Sequence, residues 1–283
     1  MLQPWILRNQ TFEWEKKTYI MGVLNVTPDS FSDGGQYNNL KAAFQQAHRM
    51  VKDGADLLDI GGQSTRPNSE TVSLEVELDR VIPVIKALRQ EPAFRQIPIS
   101  VDTTRSQVAA AAIAVGADIV NDVSGATFDA NMLQTVAKLN TPIILMHLRG
   151  TPKTMQSLTD YQDLIGEIFQ FLSERIETAI ALGLDRSQIM IDPGIGFAKN
   201  YEQNLEILRR LQEFQALNCP ILIGVSRKSF IGHILKQSDP QKRVWGTAAA
   251  CVSAIANGAN VVRVHDIAEM RDACRVADAI WKP

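Results

Sequence analysis

The chain has 283 residues, 45% of them hydrophobic, enough to build a large core in one domain or two. Against 29 Lys and Arg stand 31 Asp and Glu, a formal net charge of -2, which excludes a broad basic face for nucleic acid or an anionic membrane and leaves local basic clusters to be explained separately. Cys219, Cys251 and Cys274 lack the CxxC spacing of a zinc or redox site, residues 1–20 are interrupted by Arg8, Glu13, Glu15, Lys16 and Lys17, and no apolar run reaches the ~18 to 20 residues of a spanning helix; a reduced cytoplasmic protein is expected.

Ahead of the first long strand, 5–8 and 11–14 flank Asn9-Gln10 and are expected to form a small β-hairpin plugging one end of the fold. From there, short β-rich runs alternate with segments of helical periodicity. Strands are expected at 19–25, 57–61, 97–102, 118–121, 143–147, 188–192, 221–224 and 261–265. The helices between them fall at 40–53, 74–90, 104–115, 131–139, 161–182, 201–212, 244–257 and 267–280. Repeated βα units in a chain near the ~250 residues of a closed barrel predict an α/β fold, a (β/α)8 TIM barrel forming a single domain over 1–283. The phrases Asp53-Gly54-Ala55-Asp56, Val115-Gly116-Ala117-Asp118 and Asn257-Gly258-Ala259-Asn260 each put Gly just past a helix, where a left-handed cap is wanted. The longest connections, 27–39 and 63–73, follow the first two long strands and are rich in Gly, Pro, Ser, Asp and Arg; loops of that length in a compact domain are usually functional.

In such a barrel the C-terminal strand ends face one mouth. The polar residues there are Asn25, Asp59, Asp102 with Thr103, Asn121 with Asp122, His147, Asp192, Ser226 with Arg227 and Lys228, and Arg263 with His265. Any one of them alone fits a turn or a helix cap, but their recurrence at nearly every exit points to a site. Arg66, Arg227, Lys228, Arg263 and His265 suit a phosphorylated ligand. Asp102, Asn121 and Asp192 suit a flat heterocycle with several N–H donors, such as an aminopyrimidinone. At Asn25 an amide oxygen stands ready for a hard cation, and Mg2+ completed by pyrophosphate oxygens and water is expected.

Two phrases carry a resemblance: Asn25-Val26-Thr27-Pro28-Asp29-Ser30-Phe31-Ser32-Asp33-Gly34 and Asp59-Ile60-Gly61-Gly62-Gln63-Ser64-Thr65-Arg66-Pro67 resemble the two signatures of dihydropteroate synthases. Similar phrases continue through Ser100-Val101-Asp102-Thr103, Asn121-Asp122-Val123-Ser124-Gly125, Met146-His147-Leu148-Arg149-Gly150-Thr151-Pro152, Asp192-Pro193-Gly194-Ile195-Gly196-Phe197-Ala198-Lys199, Ser226-Arg227-Lys228-Ser229 and Arg263-Val264-His265-Asp266, so the likeness runs over about 19–281. It implies that Asp102, Asn121, Asp192 and Lys228 hold a pterin in a slot lined by Met146 and Phe197, that Thr65, Arg66, Arg263 and His265 bind its pyrophosphate, and that Asn25 binds Mg2+. Phe31, Asp33, Pro67 and Ser229 complete the p-aminobenzoate pocket, and the catalytic groups are Asp33, Arg66, Lys228, Arg263 and His265. Departures occur at Gln63, where Glu is usual, at Asn68, where Gly is usual, and at Leu148, where Met is frequent. The loss of charge at Gln63 makes the second loop the weakest carry-over.

The implied reaction joins dihydropterin pyrophosphate to p-aminobenzoate: the C–O bond at the pterin methylene breaks, pyrophosphate leaves, and the arylamine nitrogen attacks the delocalised cation. The alternatives are a methyltetrahydrofolate-dependent methyltransferase, against which the basic loops speak, and a catalytically idle pterin-binding barrel, whose expected loss of anion residues is absent. The family likeness also implies a homodimer, with Val252, Ile255, Val276 and Ile280 on the C-terminal helices supplying an apolar surface.

Overall fold

Strands β1 (Trp5–Leu7) and β2 (Gln10–Phe12) pair antiparallel with Trp5 opposite Phe12. Their turn is Arg8-Asn9, at φ 54° and 67°, one residue earlier than the sequence suggests. A two-residue turn of this hand needs both residues left-handed, and pairing Gln10 with Leu7 puts Trp5, Leu7 and Phe12 together on the buried face.

The computed structural model describes residues 2–27, 36–65 and 69–282. After the hairpin come β3 (Tyr19–Asn25), α1 (Gln36–Asp53), β4 (Leu57–Gly61), α2 (Leu74–Gln90), β5 (Ile99–Asp102), α3 (Ser106–Ala114), β6 (Ile119–Asp122), α4 (Met132–Leu139), β7 (Ile143–Met146), α5 (Leu164–Ala181), β8 (Ile189–Asp192), α6 (Tyr201–Arg209), β9 (Leu222–Ile223), α7 (Ser229–Leu235), α8 (Val244–Ala256), β10 (Val261–Val264) and α9 (Ile267–Trp281). The sheet runs β8-β7-β6-β5-β4-β3-β10-β9 with every neighbour parallel. A bridge between Ile191 and Ile221 closes it into a barrel.

Outward strand residues such as Ile60, Val101, Val120, Leu145 and Ile191 pack with α-helical Val81, Val108, Leu133, Ile168 and Met270 in one continuous core. Inside, Tyr19, Leu57, Ile119, Ile144, Met190, Leu222 and Val261 meet Trp5, Phe12 and Trp14, so the hairpin seals the N-terminal end. Aromatic packing holds this plug, with Phe12 and Tyr19 centroids 4.6 Å apart and Trp5 edge-on to Trp14 at 5.4 Å.

The three Gly-centred turns share one geometry. Gly54, Gly116 and Gly258 have φ of 107°, 111° and 97°. In each, the residue two beyond Gly bonds one neighbouring strand-start residue twice. Asp56 N donates to Ile20 O while its carboxylate accepts from Ile20 N; Asp118 does the same with Ile99, and Asn260 with Ile221. The helix in the loop after β9 was not expected from the sequence. At seven residues and with Gly232 inside it, α7 is too short to show a period.

Candidate active site

Side chains alternate along a strand, so the position two beyond each floor residue again points into the barrel. Above Leu57, Ile119, Ile144, Met190 and Val261 stand Asp59, Asn121, Met146, Asp192 and Arg263, and Asp102 ends β5 beside them. The interior therefore changes from mainly apolar, with Ser100 a buried polar exception on β5, to charged within one pleat. All of these upper residues except Arg263 are buried.

Arg263 organises one side. Its Nε donates to Asp59 Oδ2 at 2.6 Å and its Nη2 to Asp102 Oδ2 at 2.8 Å, while Asn121 Nδ2 donates to the same Asp59 oxygen at 3.0 Å. Burial pushes the Asp102 carboxyl up to about 7; Arg263 opposes that rise and the negative charge of Asp59 adds to it. Burial works against the Arg263 charge, but Asp59 and Asp102 outweigh it and hold the guanidinium above its ordinary range. Across the mouth, Asp192 Oδ1 accepts from Gly194 N at 2.7 Å. Its carboxyl is raised by burial, against the pull of Lys228. Lys228 is pushed down to about 8 by burial, with Asp192 opposing. The Lys228 ammonium donates to Ile195 O and lies 4.5 Å from the Phe197 ring centroid. Met146, Leu148, Met155 and Ala198 make a small apolar cluster against Phe197. Leu148 fills this cluster without a polar atom, in keeping with a volume-conserving replacement.

Three acceptor-bearing residues, a lysine and an aromatic edge thus face a space with an apolar wall. Such a surface can orient a flat heterocycle through its N–H and C=O edge. Of the expected pterin group, Asp102, Asn121, Met146, Asp192, Phe197 and Lys228 converge on this mouth. His265 sits beside Arg263 with its Nδ1 2.9 Å from Ser226 Oγ. Asn25 ends β3 level with Gly61, Thr65 is half-buried beyond β4, and Ser229 opens α7 directly after Lys228. Phe31, Asp33, Arg66 and Pro67 lie outside the described residues, as does Asn68.

Several strand-end groups have other occupations. Arg227 makes a two-pronged ion pair with Asp266 (2.5 and 3.0 Å) in a left-handed turn at φ 61°. Asp122 Oδ1 accepts from both Ser124 N and Oγ and shapes a turn. Thr103 donates to buried Glu77 at 2.6 Å. Gln63 Oε1 accepts from Val72 N at 3.4 Å, tying the two ends of the second loop by an amide at the position where the family phrase usually has Glu. Asp59 was only one polar strand end among several in the sequence; its place two residues beyond Leu57 on an inward-facing strand was the legible signal. Arg243 was also missed. It is buried and donates to the carbonyls of Arg227, Lys228, Gln237 and Ser238, clamping the turn that carries Lys228.

Among the described residues no three His, Cys, Asp or Glu side chains converge to hold a metal ion. A single amide donor at Asn25 fits Mg2+ brought by a diphosphate and sharing its oxygens, rather than a resident ion. A cavity of about 460 Å³ lies at the opposite end, among Leu2, Trp14, Cys219, Ile255 and Trp281, away from the charged mouth. On the outside, Trp245, Val276 and Ile280 are exposed, whereas Ile255 is buried in the core and Val252 packs against it. The expected apolar surface therefore loses Ile255, because that face of α8 turns toward the barrel.

Residues 21–265 match the family described as pterin binding enzyme, and the chain belongs to that family. It is 59% identical to the dihydropteroate synthase of Synechocystis over 96% of this chain and 93% of that protein. The dihydropteroate synthase of Yersinia pestis, solved with a sulfonamide drug complex, superposes with a TM-score of 0.92 at 40% identity, covering 99% of this chain and 100% of that one. That of Xanthomonas albilineans in complex with 7,8-dihydropteroate gives a TM-score of 0.84 at 41% identity over 94% of each chain. Within the pterin-binding enzymes the chain groups with the dihydropteroate synthases, transferases of folate synthesis.

Proposed function

We propose that this chain condenses 6-hydroxymethyl-7,8-dihydropterin pyrophosphate with p-aminobenzoate, giving 7,8-dihydropteroate and pyrophosphate. The observation that carries the reading is the facing pair of carboxylates, Asp102 bound to Arg263 and Asp192 beside Lys228, above an apolar floor. Asp102, Asn121 and Asp192 accept the pterin N–H groups, Lys228 donates to its carbonyl edge, and Met146 and Phe197 pack its faces. Arg263, with Thr65, Arg66 and His265, receives the pyrophosphate as the C–O bond lengthens and charge gathers on the leaving group. Asn25 is the protein ligand for Mg2+, which supplies further charge neutralisation to the diphosphate when bound. Phe31, Asp33, Pro67 and Ser229 enclose p-aminobenzoate, whose amine nitrogen attacks the methylene carbon and then loses a proton. The protein's contribution is orientation and electrostatics; no side chain forms a covalent bond.

We further assign a single domain, a cytoplasmic setting and a homodimer. The dimer reading rests on the exposed Trp245, Val276 and Ile280 of α8 and α9; light scattering of Val276→Glu against the parent tests it. No helix among the described residues is long and apolar enough to cross a membrane. The deciding experiment is pyrophosphate release by the purified protein with Mg2+ and dihydropterin pyrophosphate, with and without p-aminobenzoate, with the product followed by mass. Product dependent on both substrates is the expected result. Pterin binding without product would favour an idle barrel.

A further inference from the structure

Beneath the mouth lies a buried ammonium to which the reaction above gives no task. Lys199 is 2% exposed, and among the described residues it makes no ion pair with a carboxylate. Its Nζ instead lies 2.9 Å from His147 Nδ1 and donates to Phe197 O, also at 2.9 Å. With Lys199 as an ammonium, which has three donors and no lone pair, His147 Nδ1 is the acceptor and the imidazole is neutral with its proton on Nε2. Burial first, and then Lys199 and Arg149, push the His147 ring down to about 2, in agreement with that assignment. Burial also lowers Lys199 itself, with Asp192 as the group that opposes the loss of its charge.

The 192–199 loop that these contacts close is an unusual piece of chain. Gly194, Gly196 and Ala198 stand at φ 76°, 82° and 50°. It begins at Asp192, presents Ile195 O to Lys228, and carries Phe197 beneath the Lys228 ammonium. The backbone N of His147 donates to Asp192 O at 2.9 Å, so the residue that receives Lys199 is also bonded to the loop's first residue. A Cβ on Gly194 would lie 2.1 Å from His147 O, which shows how closely the loop is drawn against β7. Burying an ammonium without a carboxylate beside it is costly, so stability alone gives little reason for a lysine here.

We propose that Lys199 and His147 form a positioning pair for the heterocycle site: the ammonium ties Phe197 to the strand-end imidazole and so sets the placement of Asp192, Phe197 and, through Ile195 O, Lys228. Neither residue need touch the ligand. The inference rests on the pterin-site reading. Its test is calorimetric titration of 6-hydroxymethylpterin into the full chain and three variants, with steady-state kinetics for both substrates. Lys199→Met is expected to weaken pterin binding at least tenfold, to leave KM for p-aminobenzoate within twofold, and to move the melting temperature by no more than about 5 °C. Should that variant not fold, the histidine side decides. His147→Asn keeps an acceptor at the Nδ1 position and should bind within threefold of the parent, whereas His147→Phe keeps the ring but loses the acceptor and should weaken binding tenfold. Equal affinities for the Asn and Phe variants, or a folded Lys199→Met that binds like the parent, overturn the pair. A parent that binds no pterin overturns the functional reading, and this inference with it.

Discussion

Arg263→Ala removes the one cation that touches both Asp59 and Asp102. Asp59 has no exposure and Asp102 little, so the variant leaves two buried carboxylates of like charge, with only Asn121 still donating to Asp59. Removing one partner of a buried pair costs about 3 to 5 kcal/mol. With unfolding entropy of roughly 2.1 cal/mol/K per residue, 283 residues give about 0.6 kcal/mol/K, so the melting temperature should fall by about 5 to 8 °C at pH 8. The pH dependence has a definite sign. Asp102 already sits above the ordinary carboxylate range, at about 7, and losing Arg263 moves it higher. A carboxyl raised by folding contributes stability that is present below its unfolded pKa and lost as pH rises through the folded value. The deficit of the variant should therefore shrink as pH falls from 8 to 5, and adding Asp59→Asn should recover about half of it at pH 8. Differential scanning calorimetry across that range is the assay. A loss under 2 °C, or one independent of pH, would refute the charge-pairing argument. Turnover should fall about 10² to 10³-fold, far more than pterin affinity, and an unchanged kcat removes Arg263 from the leaving-group role.

Lys228, depressed to about 8, should lose its proton within the assay range, so pterin dissociation constants measured by fluorescence should rise above pH 8, by up to tenfold per unit, and be flat in Lys228→Met. For stability the sign is the reverse of the Asp102 case: a lysine lowered by folding contributes stability above its unfolded pKa that is lost as pH falls through about 8. Phe12→Ala, in the hairpin plug, should cost about 3 to 5 kcal/mol in urea unfolding yet leave kcat within twofold, because it lies at the far end of the barrel; a large loss of turnover would mean the two ends communicate. Gly194→Ala places a methyl against the His147 carbonyl, so crystallography or pterin titration should report a displaced loop and binding weakened tenfold or more; parent-like affinity would show that the loop position is immaterial.

The barrel was legible because its strands are buried on both faces and read as short apolar runs between helices of clear amphipathic period. β3, β4 and α2 fall where the sequence places them. Strand ends elsewhere shifted by a residue or two, and β9 shrank to Leu222–Ile223, because its edge is completed by the bridge at Ile221 rather than by a longer ladder. At the site, strand-end position and residue type were enough to gather Asp102, Asn121, Asp192, Lys228 and Arg263. They could not reveal which charges neutralise one another. Arg227 and Arg263 look alike in sequence, yet one pairs with Asp266 while the other joins two carboxylates inside the barrel. Lys199 and Arg243 escaped because neither stands at a strand end, and their roles come from buried partners that no local pattern announces.

Asp56, Asp118 and Asn260 each grip a neighbouring strand by both its N–H and its C=O at a single residue. A strand sliding by one position would break both bonds at once and turn its inward side chains outward. The three grips sit at the end of the barrel away from the charged mouth, so alignment of the staves is secured where no substrate goes. Loops at the mouth are then free to accumulate substitutions, such as that at Gln63, without any change in how the strands line up.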